Sequence, residues 1–156
     1  EFGGCFLNKR LNRNNDGGTT RRTTDIFQLA TTVLFQNPVQ NFALAPNNLK
    51  DVSPVCMDYM KTIPTTWDET CFIDGYPGKY VVLARRHGGT WYVAAINAGK
   101  ETLKLKLDLE MFAGKTVSLY KDDKKGAPQL VPLKVKENGK VQLEILPQGG
   151  AVLVNK

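Results

Sequence analysis

The hydrophobic period of this chain changes at Ile63-Pro64, and that change limits the folds open to it. Before the boundary, Ile26, Leu29, Ala30, Val33 and Leu34 recur at i, i+3, i+4, i+7 and i+8, which lines one face of an α-helix. After it, Leu103, Leu105 and Leu107 alternate with Lys104, Lys106 and Asp108, the two-residue period of a strand with one buried face. The chain therefore reads as an α/β segment over residues 1–63 followed by an all-β domain over residues 64–156.

Within the first segment a helix is predicted over 25–35. Thr24 is placed to cap it, and Asp25 suits the positive end of its dipole. Asn37-Pro38 stops it, because the residue before proline avoids the α region. Residues 39–45, between Pro38 and Pro46, read as a short buried strand. Ser53-Pro54 opens a second helix with serine as cap and proline in the first turn, and Val55, Tyr59 and Ile63 share one of its faces. Residues 7–23 read as a long loop around Asn14-Asn15-Asp16-Gly17-Gly18, where glycine and side-chain-to-backbone bonds favour turns.

Beyond Pro64, strands are predicted at 80–85 and 90–97, joined through Arg86-His87-Gly88-Gly89, then at 102–108 and 116–120. Residues 133–136 and 141–145 flank Asn138-Gly139, a strong two-residue hairpin signal. Gly149-Gly150 turns the chain into a last strand at 151–154. Short strands at this spacing, with no helical period between them, predict an antiparallel sandwich.

Composition narrows the function classes. The net charge is +6, with 7 Lys/Arg against 5 Asp/Glu up to Pro64 and 14 against 10 beyond it. The excess is spread, and its lysines alternate with apolar residues as on a solvated sheet face. Binding to a nucleic acid or an anionic membrane needs clustered charge and is not expected. No apolar run approaches the roughly 20 residues of a membrane span. Cys5, Cys56 and Cys71 are odd in number and lack C-x-x-C spacing, so no zinc site is expected; Cys56 and Cys71 read as small buried thiols. The abrupt start at Glu1 reads as a fragment or a processed product.

A search for chemistry returns little. His87 is the only histidine and reads as an exposed turn residue. No G-x-S-x-G elbow, phosphate-binding glycine motif or calcium loop accompanies it. Hydrolysis of a glycoside needs two carboxylates. Asp68 and Glu69 are adjacent and would face opposite sides of a strand. Asp122 and Asp123 read as solvent-facing in a lysine-flanked turn, and Asp25 as a helix-start residue. Trp67, Trp91, Tyr92, Tyr76 and Tyr80 are candidates for stacking on a sugar ring, against the plainer reading of core packing with one exposed aromatic. Trp91 and Tyr92, being consecutive, are expected to point one into the core and one out.

Three runs carry a family resemblance: Ile63-Pro64-Thr65-Thr66-Trp67-Asp68-Glu69-Thr70, Tyr80-Val81-Val82-Leu83-Ala84-Arg85-Arg86 and Trp91-Tyr92-Val93-Ala94-Ala95. They resemble, in order, the I-P-T-T-W-D-E-T, Y-I/V-x-x-A-R-R and W-Y-V-G-A runs of glycoside hydrolase family 97. Glu1-Phe2-Gly3-Gly4 resembles the family's D-Y-T-P-G segment at a late barrel strand, with Glu for Asp and Gly3-Gly4 for Thr-Pro. The helix at 25–35 and Gln36-Asn37-Pro38-Val39-Gln40 resemble its last barrel helix and strand.

The resemblance implies an α+β fragment: the tail of a (β/α)8 barrel over 1–63, then an antiparallel β-sandwich over 64–156. It implies a parent that hydrolyses α-galactosides or α-glucosides, is periplasmic, and binds calcium near its active site. The family's catalytic acids and calcium ligands precede the D-Y-T-P-G segment. No catalytic or metal-binding residue is therefore expected in this chain, which alone would be inactive. Glu1 and the 7–23 loop, with Asn12 and Asn14, are the positions expected to line the parent's pocket, because barrel sites lie at the C-terminal ends of strands. An incomplete barrel should also leave an apolar face open to self-association. Two rivals stand beside this reading: a stand-alone carbohydrate-binding sandwich, motivated by the aromatics, and a polyanion-binding domain, motivated by the charge.

Overall fold

The structure is a computed structural model that describes residues 3–12, 17–36 and 38–155. Strand β1 (Gly3–Cys5) leads through the long loop into helix α1 (Asp25–Leu34), and strand β2 (Gln40–Phe42) follows. β1 and β2 pair in parallel, with Gly4 opposite Asn41. Parallel neighbours need a crossover connection, and α1 supplies it. A 3-10 turn at Pro46–Asp51 and helix α2 (Pro54–Met60) complete this part. Ser53 Oγ accepts from the Cys56 amide at 3.3 Å, as its position before Pro54 predicts.

The remaining eight strands are β3 (Glu69–Tyr76), β4 (Tyr80–His87), β5 (Thr90–Asn97), β6 (Leu103–Asp108), β7 (Thr116–Asp122), β8 (Pro128–Lys134), β9 (Lys140–Ile145) and β10 (Gly150–Val154). They form two antiparallel sheets. One holds six strands in the order β3-β4-β5-β10-β7-β8, and the other pairs β6 with β9. The inner face of the large sheet, with Val82, Val93, Ala95, Leu119 and Leu153, packs on Leu105, Leu107, Val141, Leu143 and Ile145 of the small one. The alternation of β6 decides this layer: its leucines enter the core, while Lys104, Lys106 and Asp108 are exposed.

The other face of the large sheet is also covered. Tyr92, Ala94, Tyr120, Val152 and Val154 pack against Ile26, Leu29, Ala30 and Val33 of α1, and Cys5 and Leu7 lie in the same cluster. β10 is buried along its whole length because it lies between the two layers. Helix α1 is thus held between the sandwich and the β1–β2 ribbon, so the apolar stripe read from the sequence faces the sheet.

Several expectations need correction. The strand expected over 39–45 is only Gln40–Phe42; the Ala43 amide still bonds the Cys5 carbonyl at 2.9 Å, and the chain then turns away into the 3-10 turn at Pro46. Asn138-Gly139 does not make a hairpin between paired strands. β8 pairs with β7 in the large sheet and β9 with β6 in the small one, so the turn lies where the chain changes sheets. The strand expected at 133–136 runs instead from Pro128 to Lys134. Its prolines masked it in the sequence, and its edge position tolerates them. The hairpin at Arg86-His87-Gly88-Gly89 is found, with His87 opposite Thr90. Gly88 has φ of 56° there, a conformation glycine adopts without steric penalty.

Candidate functional site

Two buried charged side chains of the sandwich, Asp122 and Arg85, meet the two ends of α1. At the N-terminal end, Thr24 Oγ1 accepts from the Phe27 amide at 3.1 Å and donates to Asp122 Oδ2 at 2.8 Å. The same carboxyl oxygen accepts from the Gly150 amide at 3.2 Å. One side chain of β7 therefore binds the helix cap and the start of β10 together. Asp122 is only 8% exposed, which corrects its reading as solvent-facing: the lysines flank it, but the strand turns it inward. Burial pushes its carboxyl up to about 6, against the opposing pull of its bonds to Thr24 and Gly150. Asp123, half-buried beside it, is held below the usual carboxylate range by the amides of Ala127 and Lys125.

Gly150 permits the close approach at this end. A Cβ there would lie 2.8 Å from the Ile26 carbonyl oxygen and the Phe27 Cα, closer than packed atoms tolerate. Arg21 pairs with Asp25 on the flank, beside a cleft lined by Lys9, Arg22, Lys50 and Lys125.

At the C-terminal end, Arg85 of β4 is 4% exposed and reaches across the seam. Its Nη1 donates to the carbonyls of Val33 and Phe35 at 3.0 and 2.8 Å. Nη2 donates to Gln36 Oε1 at 2.8 Å and Nε to Thr70 Oγ1 at 3.0 Å. The last carbonyls of a helix lack intrahelical partners and carry partial negative charge, so a buried guanidinium fits there without a carboxylate. Its burial lowers its pKa. Trp67 packs beside it, with the guanidinium 5.3 Å from the ring and Tyr92 edge-on at 5.3 Å.

The aromatics proposed as a sugar platform are therefore dispersed. Trp67 and Tyr92 belong to the seam, Trp91 and Tyr80 pack against the sandwich core, and Tyr76 is exposed beneath Lys79. Trp91 and Tyr92 do point in opposite directions, but both directions lead to packed layers. His87 is exposed, and its Nδ1 lies 2.9 Å from the Thr66 carbonyl oxygen. Asp68 and Glu69 both face Arg86, at 3.6 and 3.2 Å. Burial pushes the Cys5 thiol up to about 12 and the Cys56 thiol up to about 11, which makes them packing residues rather than nucleophiles. Tyr59 is buried against Thr32, 3.1 Å between hydroxyl oxygens, and edge-on to Tyr120.

Of the expected pocket-lining residues, Glu1 and Asn14 lie outside the described residues. Asn12 is half-buried, and its carbonyl accepts from Asn48 Nδ2 at 3.5 Å. Asn48 in turn lines a cavity of about 350 Å³ with Asn8, Ala43, Leu44 and Ala45, just past the C-terminal ends of β1 and β2. Sequence reasoning noticed Arg85 only as part of a motif and missed Asp122. A charged residue inside an otherwise apolar strand run was the available signal for Arg85.

These features define a class: an antiparallel β-sandwich with a single βαβ unit clamped onto its outer face. The family model described as glycosyl-hydrolase 97 C-terminal, oligomerisation, matches residues 66–155, and the chain belongs to that family, as the C-terminal part of a glycoside hydrolase. A retaining alpha-galactosidase of Bacteroides thetaiotaomicron is 31% identical over 133 residues, 81% of this chain and 20% of that protein. A probable retaining alpha-galactosidase of Streptomyces bingchenggensis is 34% identical over 76 residues, 49% of this chain and 12% of that protein. The chain thus spans a fifth or less of the length of these relatives. Among solved structures, a beta-arabinopyranosidase is 83% identical with a TM-score of 0.95, over 98% of this chain and 24% of that one. A glycoside hydrolase family 97 enzyme from Pseudoalteromonas sp. strain K8, in complex with acarbose, shares the fold with a TM-score of 0.74 at 22% identity, over 92% and 25% of the two chains.

Proposed function

We propose that residues 1–63 are the tail of a (β/α)8 catalytic barrel and that residues 64–156 form the sandwich that braces it and joins copies of the parent enzyme. The observation that carries this reading is the β1–α1–β2 unit, two parallel strands with their crossover helix, one face of which is covered by none of the described residues. Helix α1 covers one side of the ribbon. On the other, Phe6, just past β1, and Val39, just before β2, are 45% and 54% exposed. Parallel strands are normally buried on both faces, and the remaining barrel strands would cover this one. Asn8 points the same way: it is buried, and its Oδ1 has no hydrogen-bond partner among the described residues, a costly arrangement unless another group meets it.

On this reading the 7–23 loop, with Asn12, leaves the C-terminal end of a barrel strand and reaches the rim of the parent's pocket. For Glu1 and Asn14 the proposal rests on sequence position. The acids that cleave the glycosidic bond belong to the parent upstream. So, by the family resemblance, do any calcium ligands. A periplasmic parent remains part of the proposal.

The substrate class we favour is the α-galactoside, widened to β-L-arabinopyranosides. The two relatives named as galactosidases support the first and the 83% identical arabinopyranosidase the second. A β-L-arabinopyranoside has the ring stereochemistry of an α-D-galactoside without its hydroxymethyl group, so one pocket plan serves both; α-glucosides differ at C4. Hydrolysis of the three aryl glycosides by the intact parent and by this chain, with and without calcium, tests the proposal. Turnover by the parent alone, fastest on the arabinoside or galactoside, is expected. Turnover by this chain would overturn it.

A further inference from the structure

The matched family is described by oligomerisation, yet the site of contact is unassigned. We propose that β3 is the contact strand and that a second copy of this chain adds its own β3 alongside, antiparallel, making the two six-stranded sheets continuous. The proposal rests on the oligomerisation reading above and adds its surface.

Three observations select β3. It is an outer strand of the large sheet, paired among the described residues only on its β4 side, so its other edge presents backbone groups open to strand addition. Its eight residues include no proline and no lysine, the usual guards of an exposed edge. The opposite edge strand, β8, carries Pro128, Pro132 and Lys134. Within the family-matched segment 66–155 the exposed large hydrophobic residues are Phe72, Tyr76 and Leu130, and two of the three lie on β3, at 68% and 60% exposure.

The bulge between Phe72 and Asp74 explains how both rings serve one edge. Phe72 stands opposite Leu83, whose side chain faces α1, and Tyr76 stands opposite Tyr80, whose ring faces the sandwich core. The register shift puts the two rings on opposite faces of the sheet, so they flank the free edge and would grip an incoming strand from both sides.

Charge sets the direction. One end of β3 carries Asp68 and Glu69 against the single cation of Arg86, leaving a negative surplus. The other end carries Lys79, seated 4.7 Å over the Tyr76 ring, together with Asp74, whose carboxylate accepts from the Gly75 amide and the Tyr80 hydroxyl, so this end is near neutral against the acidic one. A two-fold axis near Phe72 and Ile73 brings the acidic end of each copy beside the Lys79 end of its partner. That is a self-complementary, closed arrangement. A parallel pairing would place like charges side by side.

Sedimentation velocity on the 156-residue chain tests this, using wild type, Phe72→Glu/Tyr76→Glu, Leu130→Glu and Phe6→Glu, with thermal melts to verify folding. The expected result is a dimer for wild type, Leu130→Glu and Phe6→Glu, and a monomer with an unchanged melt for the double variant, its dissociation constant raised at least a hundredfold. A second arm uses the charges: Lys79→Glu alone should weaken the dimer, and Glu69→Lys with Lys79→Glu should restore part of the loss. A wild-type dimer untouched by the double variant would overturn the assignment to β3 and leave oligomerisation standing. Dissociation by Phe6→Glu instead would overturn it in favour of the open barrel ribbon. A wild-type monomer at every concentration would overturn both the assignment and the oligomerisation reading beneath it.

Discussion

The two strand layers that flank α1 differ in one respect. The large sheet is covered on both faces, by β6–β9 and by the helix, and its central strand β10 is buried throughout. Among the described residues, the β1–β2 ribbon is covered by the helix alone. The helix is itself fixed from the sandwich side, by Asp122 at one end and Arg85 at the other. One layer is thus sufficient to itself, and the other is held in place by its attachment. The sandwich closes its own core, whereas the ribbon keeps its shape because the sandwich grips its crossover helix.

Substitutions matched across the two layers would break this comparison if it is wrong. Phe112, fully buried in the sandwich core, should cost about 4 kcal/mol on change to Ala, measured by urea unfolding. Arg85→Ala removes four hydrogen bonds at the seam and should cost about 3 kcal/mol. It should also speed amide exchange in α1, β1 and β2 while sparing β6 and β9. Gly150→Ala forces a methyl group against the helix backbone and should cost about 2 kcal/mol, read as a lowered midpoint with unchanged far-ultraviolet dichroism. If Arg85→Ala loosened the sandwich as much as the ribbon, the two layers would be one cooperative unit and the comparison would fail.

Asp122 sharpens the comparison through pH. Burial raises its folded-state value above that of an unfolded aspartate, so the native chain holds this proton more tightly. Its contribution is complete below about pH 4 and is lost as pH rises through about 6. Asp122→Asn keeps an acceptor for Thr24 and Gly150 and carries no charge. It should therefore flatten the stability profile between about pH 4 and 7 and leave the chain at least as stable as wild type at pH 8, by denaturant midpoints at each pH. The smallest effect is expected at the open ribbon, where Phe6→Ala should change the stability of this chain by less than about 0.5 kcal/mol.

The sequence shows the layers more readily than the joints. Leu103, Leu105 and Leu107 place β6 because a strand with one wet face must alternate, and Ile26 to Leu34 place α1 for the corresponding helical reason. The hairpin at Gly88-Gly89 is legible because its partners are adjacent in the chain. Asn138-Gly139 misleads, since turn chemistry is local and cannot report that β8 and β9 belong to different sheets. Asp122 and Arg85 escape for the same reason. Their partners, Thr24 and Gly150 for one and Val33 to Gln36 for the other, are distant in sequence, and lysines beside Asp122 imitate a solvated turn. The family resemblance reaches further than the periods do in one respect: its Ala-Arg-Arg run contains the seam arginine. Among the described residues, Asn12 remains the one pocket-rim expectation with a position, beside Asn48.

The most direct test of the central claim compares hydrogen exchange at residues 3–5 and 40–42 in this chain and in the intact parent. Protection of β1 and β2 should be measurable in the isolated chain and much stronger in the parent, with β5, β7 and β10 equally protected in both. Equal exchange of β1 and β2 in the two proteins would contradict it, because the ribbon would then gain no cover from a barrel.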